Sequence, residues 1–544
     1  MKKILFALAV SAFSLEGWAC TNLIVGKKAS ADGSVMITYS ADDYGSYGYL
    51  HFYPAGHHAK GEMRALYDYE TNNYLGEIPE AEYTYNVIGQ INEHQLSIME
   101  TTFGGREELA DSTGLLDYGS LMYVTLQRAK TAREAIDVWT KLVETYGYRS
   151  EGESITIADP NEVWVLEMIG KGPGRKGAVW VARRLPDDCV TGHANQARIT
   201  TFPLKDRQNC LYSKDVISFA REKGYFSGKD KDFSFRDAYA PNDFGARRIC
   251  EARVWTFFNR VAAGMDKYLP YVQGIEANTE EMPWCIRPDH PVTLNEVKQA
   301  MRDHFEGTPM EMTVDVGAGP YEAPYRPTPL YFEVDGKKYF NERPISTQQT
   351  AVTYLAQLRS WLPNHIGGVL WVGCDDANMV AYTPVYCCST VCPEPYAERT
   401  ADPFTFSLKS AYWVCNALSN FVYPRYSQLF PDVKQVRDQL DRELEDMQAK
   451  IDAEAQAKNE AEAISHLTGY SCRAASMMMD RWRQLFERLI VKYNDMAIKP
   501  EENGQYKRTA GGDHVPLTRV GYPERYRKVI VEKTGDRYLV PEKK

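Results

Sequence analysis

The chain has 544 residues, 44% of them hydrophobic and 25% charged, with a formal net charge of −10. That composition supplies ample core for a globular fold, and the acidic balance argues against nucleic acid or an anionic membrane surface as partner, since both attract basic proteins. At about 150 residues per domain, the length predicts two to four domains or one large domain with insertions.

Met1-Lys2-Lys3 is a short basic stretch, and residues 4–13 form an apolar run. A bilayer span needs roughly 20 apolar residues, so this run has the length of a signal-peptide core instead. Gly17 and Ala19 put small residues at the third and first places before Cys20. Residues 1–19 are therefore predicted to be a signal peptide removed by signal peptidase. The mature chain then begins at Cys20, in the periplasm or outside the cell. No later stretch is apolar for long enough to insert stably in a membrane. The competing reading is a lipid-anchored binding protein with Cys20 as its attachment point. A lipobox has an aliphatic residue three places before the cysteine and a small one two places before, and Gly17 and Trp18 supply neither.

From Cys20 the pattern is β. Residues 21–26 and 34–39 are β-rich runs joined by a turn segment ending in Asp32-Gly33, which predicts a hairpin tying the new chain end into a sheet. Further strands are expected at 83–88 and 96–102. The period then changes. Thr131 and Glu134 form a capping-box pair, Ile136, Trp139, Leu142, Val143 and Tyr146 share one helical face, and Gly147 ends the helix. Strand signals return at 154–158, 163–167 and 178–182, and a β-type stretch at 368–386 contains a Gly-Cys-Asp-Asp segment at 373–376. Runs of strands separated by helices predict an α+β fold, not a regular βαβ repeat. Residues 432–467, preceded by Pro431, are charged and Ala-rich with sparse apolar spacing, and predict a solvated helix lying on the main body. A second helix at 474–493 carries a core-like stripe of Met477, Met478, Met479, Trp482, Leu485 and Leu489.

Several chemistries can be set aside. The ten histidines include no HExxH and no Cys/His ladder of zinc spacing, so no metal is predicted. The serine-hydrolase elbow GxSxG and the P-loop pattern are absent, and Gly170, Gly172 and Gly174 fit a hairpin tip better than a phosphate cradle. Export permits disulfides among the eleven cysteines, and Cys387, Cys388 and Cys392 lie close together, but the sequence leaves any pairing open. Cys20 remains. As a first residue it carries a thiol, of reference pKa about 8.5, and a free α-amine, of about 7.7–8. The amine can take the thiol proton near neutrality, so one residue is nucleophile and base together.

Residues 20–26 (CTNLIVG), 31–34 (ADGS), 89–93 (GQINE), 100–104 (ETTFG), 159–167 (DPNEVWVLE), 180–188 (WVARRLPDD), 193–196 (HANQ), 253–255 (RVW) and 370–373 (LWVG) follow one another behind that cysteine. In this order they resemble the dipeptidases of peptidase family C69. These are relatives of penicillin V acylase and bile salt hydrolase in the N-terminal-nucleophile (Ntn) hydrolase superfamily. The resemblance covers most of residues 20–390. It implies a four-layer αββα Ntn-hydrolase sandwich over residues 20–400, with a mainly helical C-terminal region, 401–544, packed on it. It also implies hydrolysis of small peptides through a thioester, with no cofactor.

Roles follow from the same resemblance. Cys20 falls at the nucleophile. Asp42 falls where the acylase relatives place the aspartate that orients the α-amine, with Asp43 a near alternative. Asn195 falls at the oxyanion asparagine, and Thr102 where a backbone N–H completes that hole. Arg253 is the candidate active-site arginine, with Arg247 and Arg248 close enough to compete. A dipeptide carries an ammonium and a carboxylate, and burying either unpaired is costly. Glu100 is the candidate for the first and Arg253 for the second. Structural readings stand beside these: Asp42 as a turn cap, Asn195 as a framework residue, Arg253 in a surface ion pair. The acylase relatives carry an arginine three residues before the aspartate, where this chain has Tyr39, which makes acyl-amide and bile-salt substrates less expected. An amidase acting on N-acyl amino acids is the nearest alternative activity. Assembly as a homo-oligomer stays open.

Overall fold

A computed structural model describes residues 20–276 and 278–542. Two antiparallel sheets dominate it. In chain order their strands are β1 (Asn22–Val25), β2 (Val35–Asp42), β3 (Phe52–Tyr53), β4 (Val87–Ile88), β5 (Ile91–Asn92), β6 (Ser97–Gly104), β7 (Gly152–Ala158), β8 (Val163–Gly170), β9 (Ala178–Arg184), β10 (Val190–His193), β11 (Cys210–Tyr212), β12 (Thr350–Leu358), β13 (Gly368–Cys374) and β14 (Thr383–Tyr386). The first sheet has the order β10-β1-β2-β12-β13-β14, the second β11-β9-β8-β7-β6-β5-β4-β3. The expected hairpin is present, with Ile24 opposite Ile37 and Val25 opposite Met36. Cys20 thus leads into a strand flanked on both sides, because β1 pairs on its other side with β10 (Asn22 opposite His193).

Helices α1 (Tyr118–Leu126) and α2 (Ala132–Tyr146) cover one face of the second sheet. Leu121, Ile136 and Trp139 pack there against Ile98, Ile155, Ile157, Trp164 and Leu166. The start of α2 follows from its cap: Thr131 Oγ1 accepts from the Glu134 N–H, while the Glu134 carboxylate reaches back to the Lys130 N–H. Gly147, at φ +84°, ends it in a backbone conformation that side chains avoid. The opposite face of the second sheet, through Met99, Val163, Val165 and Val181, shares a core with Ile24, Ile37, Leu355 and Leu370 of the first. Helix α3 (Ala252–Val261) packs on β10.

The C-terminal helices differ from the expectation. α4 (Tyr426–Gln456) starts before Pro431 instead of after it, and α5 (Glu460–Tyr493) starts fourteen residues earlier than the apolar stripe suggests. The break between them is a short turn at 457–459, and the Asn459 side chain caps α5 by accepting from the Glu462 N–H. α4 is not simply solvated. Its buried face carries charge into the sheet: Asp441 pairs with Arg302, and Asp452 takes Arg359 together with the Tyr386 hydroxyl. α5 lies against β14 and against α4. The fold is therefore α+β, with antiparallel sheets and a helical C-terminal region. Among the described residues no helix is long and apolar enough to cross a membrane.

Two further differences concern strands. The stretch 368–386 is not one strand but β13 and β14, parted at Asp375, which sits at φ +92°. β12, the partner of both β2 and β13, has no counterpart among the expected strands; all nine of its residues are buried, so it shows no alternation.

Candidate active site

Cys20 lies two residues before the start of β1 and is 1% exposed. Its Sγ lies 3.9 Å from the Tyr39 Oη on β2. Burial pushes the thiol pKa well above its ordinary value, and the nearby carboxylates of Glu100 and Asp42 push it further. A thiol so placed keeps its proton unless a base stands beside it.

Arg253, on α3, organises the backbone around this residue. It is fully buried, and its five donors meet five acceptors. Nε donates to Ile249 O, Nη1 to Cys20 O and Thr21 Oγ1, and Nη2 to Ala194 O and Asn195 Oδ1. Burial, and then the neighbouring Arg343, bring its pKa down to about 10, so it remains a cation near neutrality. Two expectations need correction. Arg253 is not a surface ion pair, and with every N–H in use it has no donor left for a substrate carboxylate. Arg247 and Arg248 do not compete for the position: the first stands over the Tyr271 ring and the second pairs with Glu342.

Asn195 follows β10 in the left-handed conformation, φ +62°. Its Nδ2 donates to Thr102 O at 2.7 Å, and its backbone N–H donates to Thr101 Oγ1 at 3.3 Å. That hydroxyl contacts His193 Nδ1 at 2.7 Å, while His193 Nε2 contacts Thr156 Oγ1 at 2.8 Å. Thr156 donates to Asn22 Oδ1, so it accepts from His193 Nε2–H, and Thr101 donates to Nδ1. Burial lowers the His193 pKa to about 3, with a smaller push from Arg198, so the ring stays neutral with its proton on Nε2.

Asp42, at the end of β2, is buried. Its Oδ1 accepts from Thr350 Oγ1 at 2.6 Å, and its Oδ2 from Arg343 Nη2 at 2.6 Å and Ser40 Oγ at 3.0 Å. The turn-capping role falls to Asp43 instead, whose Oδ2 accepts from Ser46 Oγ. Glu100, on β6, accepts the Tyr39 hydroxyl at 2.8 Å, and burial raises its pKa to about 7.

The structure thus gathers Cys20, Asp42, Asn195, Thr102, Arg253 and Glu100 around one point. It sets Tyr39, already noted in place of the acylases' arginine, beside Cys20 and Glu100, and adds Thr101, His193, Glu153 and Arg343, which the sequence did not single out as site residues. Thr101 and His193 each stood within a quoted motif. Arg343 had no signal: it lies on a loop, 301 residues from the aspartate it pairs with.

Comparison with known proteins gives one family. The sequence model of peptidase family C69 matches residues 19–60 and 52–439. Among similar proteins, a probable dipeptidase of Salmonella dublin is 28% identical over 407 residues, 71% of this chain and 85% of the relative. A probable dipeptidase of Latilactobacillus sakei is 25% identical over 500 residues, 88% of this chain and 96% of the relative. Dipeptidase A of Lactobacillus helveticus is 26% identical over 426 residues, 73% and 80% of the two chains.

Proposed function

The chain belongs to peptidase family C69, and from that premise we propose that it is an exported dipeptidase that cleaves small peptides through a thioester on Cys20. The observation that carries the mechanism is the placement of Cys20. Its thiol is buried and held protonated, while Arg253 ties its carbonyl to the side chain of Asn195. A base is therefore required, and the nitrogen of the same residue becomes one when residues 1–19 are cut away. In the uncut chain that nitrogen is an amide and has no basic lone pair.

In this reading the α-amine of Cys20 takes the thiol proton, and Asp42 orients the amine. Arg343 and Thr350 in turn fix the Asp42 carboxylate. The thiolate attacks the peptide carbonyl. The Asn195 side-chain N–H and the Thr102 backbone N–H receive the oxyanion, an effect of about 2.7–4 kcal/mol per donor in other enzymes. The amine product leaves with the proton, and water then releases the acyl group from sulfur. Arg253 is a positioning residue, and Glu100 receives the substrate ammonium. The layering supports an αββα Ntn-hydrolase sandwich: α1 and α2 on one sheet, α4 and α5 on the other. Signal peptidase supplies the cut, in the periplasm or on the way out of the cell.

The test compares a folded chain that retains Ala19 before Cys20 with the chain processed to Cys20. The processed chain should hydrolyse dipeptides and show an acyl adduct on Cys20 in intact-mass spectra after rapid quenching; the other should do neither. Equal turnover by both would sink the mechanism.

A further inference from the structure

Two carboxylates lie buried together beside the nucleophile. Glu100 on β6 and Glu153 on β7 are diagonal neighbours in a strand pair where Glu100 faces Ile155 and Thr102 faces Glu153. Each has one oxygen held by a hydroxyl: Tyr39 Oη donates to Glu100 Oε1 at 2.8 Å, and Thr102 Oγ1 to Glu153 Oε1 at 2.7 Å. The second oxygen of each, Oε2, receives no donor from any other described group. The two carboxyls are close enough to hydrogen-bond each other when one carries a proton. The titratable groups that face them are Tyr39 and Cys20 from the first sheet, Tyr69 and Glu70, Tyr118 from α1, and Tyr148 and Glu151 before β7. None of these side chains is a cation, and the α-amine of a chain processed to Cys20 is neutral when it stands ready as the base.

Two buried carboxylates without a cation cannot both ionise, so the empty pair keeps one proton between them. We propose that the Glu100–Glu153 pair, with the Tyr39 hydroxyl, is the receptor for the α-ammonium of a peptide substrate, and that the ammonium enters in exchange for the shared proton. This rests on the dipeptidase reading above. The ammonium supplies the missing positive charge, Glu153 ionises, and its proton passes to solvent. Burial already raises both carboxyl pKa values, that of Glu153 further with Glu100 beside it.

The geometry also selects the bond that is cut. Tyr39 Oη touches Glu100 on one side and lies 3.9 Å from Cys20 Sγ on the other. An ammonium held by the pair puts the carbonyl two bonds away within reach of sulfur, and attack needs about 3–3.5 Å. The first peptide bond from the amino end is therefore the one that breaks. A tripeptide should yield its first residue and the intact C-terminal dipeptide.

The experiment uses the chain processed to Cys20 with L-alanyl-L-alanine, its N-acetyl form and its amine-free form, propionyl-L-alanine. Both modified forms should lose about 30-fold or more in kcat/KM. Calorimetry on the Cys20→Ala chain at pH 7, in buffers of different ionisation enthalpy, should show about one proton released per free dipeptide bound. Glu153→Gln keeps an amide that can donate to Glu100. It should raise KM with little change in kcat and abolish most of the proton release. Equal turnover or equal binding of the amine-free forms, or binding without proton release, overturns the receptor. Absence of an acyl adduct on Cys20 overturns instead the reading it rests on, and the binding measurement still decides for or against the receptor.

Discussion

At the scale of single residues, Arg253 and His193 carry the sharpest consequences. Arg253 matches a planar fork of five donors to five fixed acceptors, and a lysine offers three donors on a flexible stem. Arg253→Lys should stay folded but let Cys20 and Asn195 drift apart, with kcat falling about 100-fold or more. KM should change in parallel for dipeptides and their C-terminal amides. A KM rise confined to free carboxylates would show that the guanidinium does reach the substrate. His193 makes stability depend on pH. Unfolded, a histidine takes up its proton near pH 6.5; folded, this one does so near 3. Between those values the unfolded chain binds more protons. The contribution is therefore complete above about pH 6.5 and is lost as pH falls toward 3. Urea unfolding at pH 7 and pH 5 should differ by about 2 kcal/mol from this residue. His193→Gln, weaker at pH 7, should lose correspondingly less on acidification. Equal losses would mean that the ring is not held neutral.

At the scale of elements, what the sequence reveals depends on where each element's partners lie. The first hairpin, α2 and the strands around 154–184 announce themselves because period, cap and turn are local properties. β12 is silent for the opposite reason: buried on both faces, its nine residues show no alternation. α4 misleads because its charges read as solvent contacts, whereas Arg302 and Arg359 receive them in the interior. The site divides in the same way. Cys20 and Asn195 stand in short recognisable stretches and Asp42 a short way along the chain from the first, while the Arg343 partner of Asp42 and the Glu153 neighbour of Glu100 come from chain farther away in sequence. The buried charge on α4 can be tested directly. Asp452→Ala leaves Arg359 unpaired under the helix and should cost about 3–5 kcal/mol, read as a lower urea midpoint. The double change Arg359→Met with Asp452→Leu removes both charges and should recover much of that loss. If the single change costs under about 1 kcal/mol, water reaches the pair and the helix is not anchored there.

At the scale of the whole molecule, the proposed nucleophile and the proposed oxyanion residue lie just beyond the ends of neighbouring strands. Asn22 stands opposite His193, so Cys20 and Asn195 extend from one ladder. They lie just past the end of that ladder, where buried Arg253 bridges Cys20 O and Asn195 Oδ1, so their separation is held by the sheet and the helix packed on it and not by the resting position of a lid or a hinge. Surface loops open at low free energy, whereas central strands come apart only with the whole fold. Heating should therefore leave no interval in which the protein is intact yet idle. Residual activity and the unfolding signal, recorded on one sample during a slow thermal ramp, should decline along a single curve, and a loss of activity several degrees earlier would show that a looser part governs the site. Built this way, the enzyme should have no partly working form, and its activity should be lost only when the sheet itself gives way.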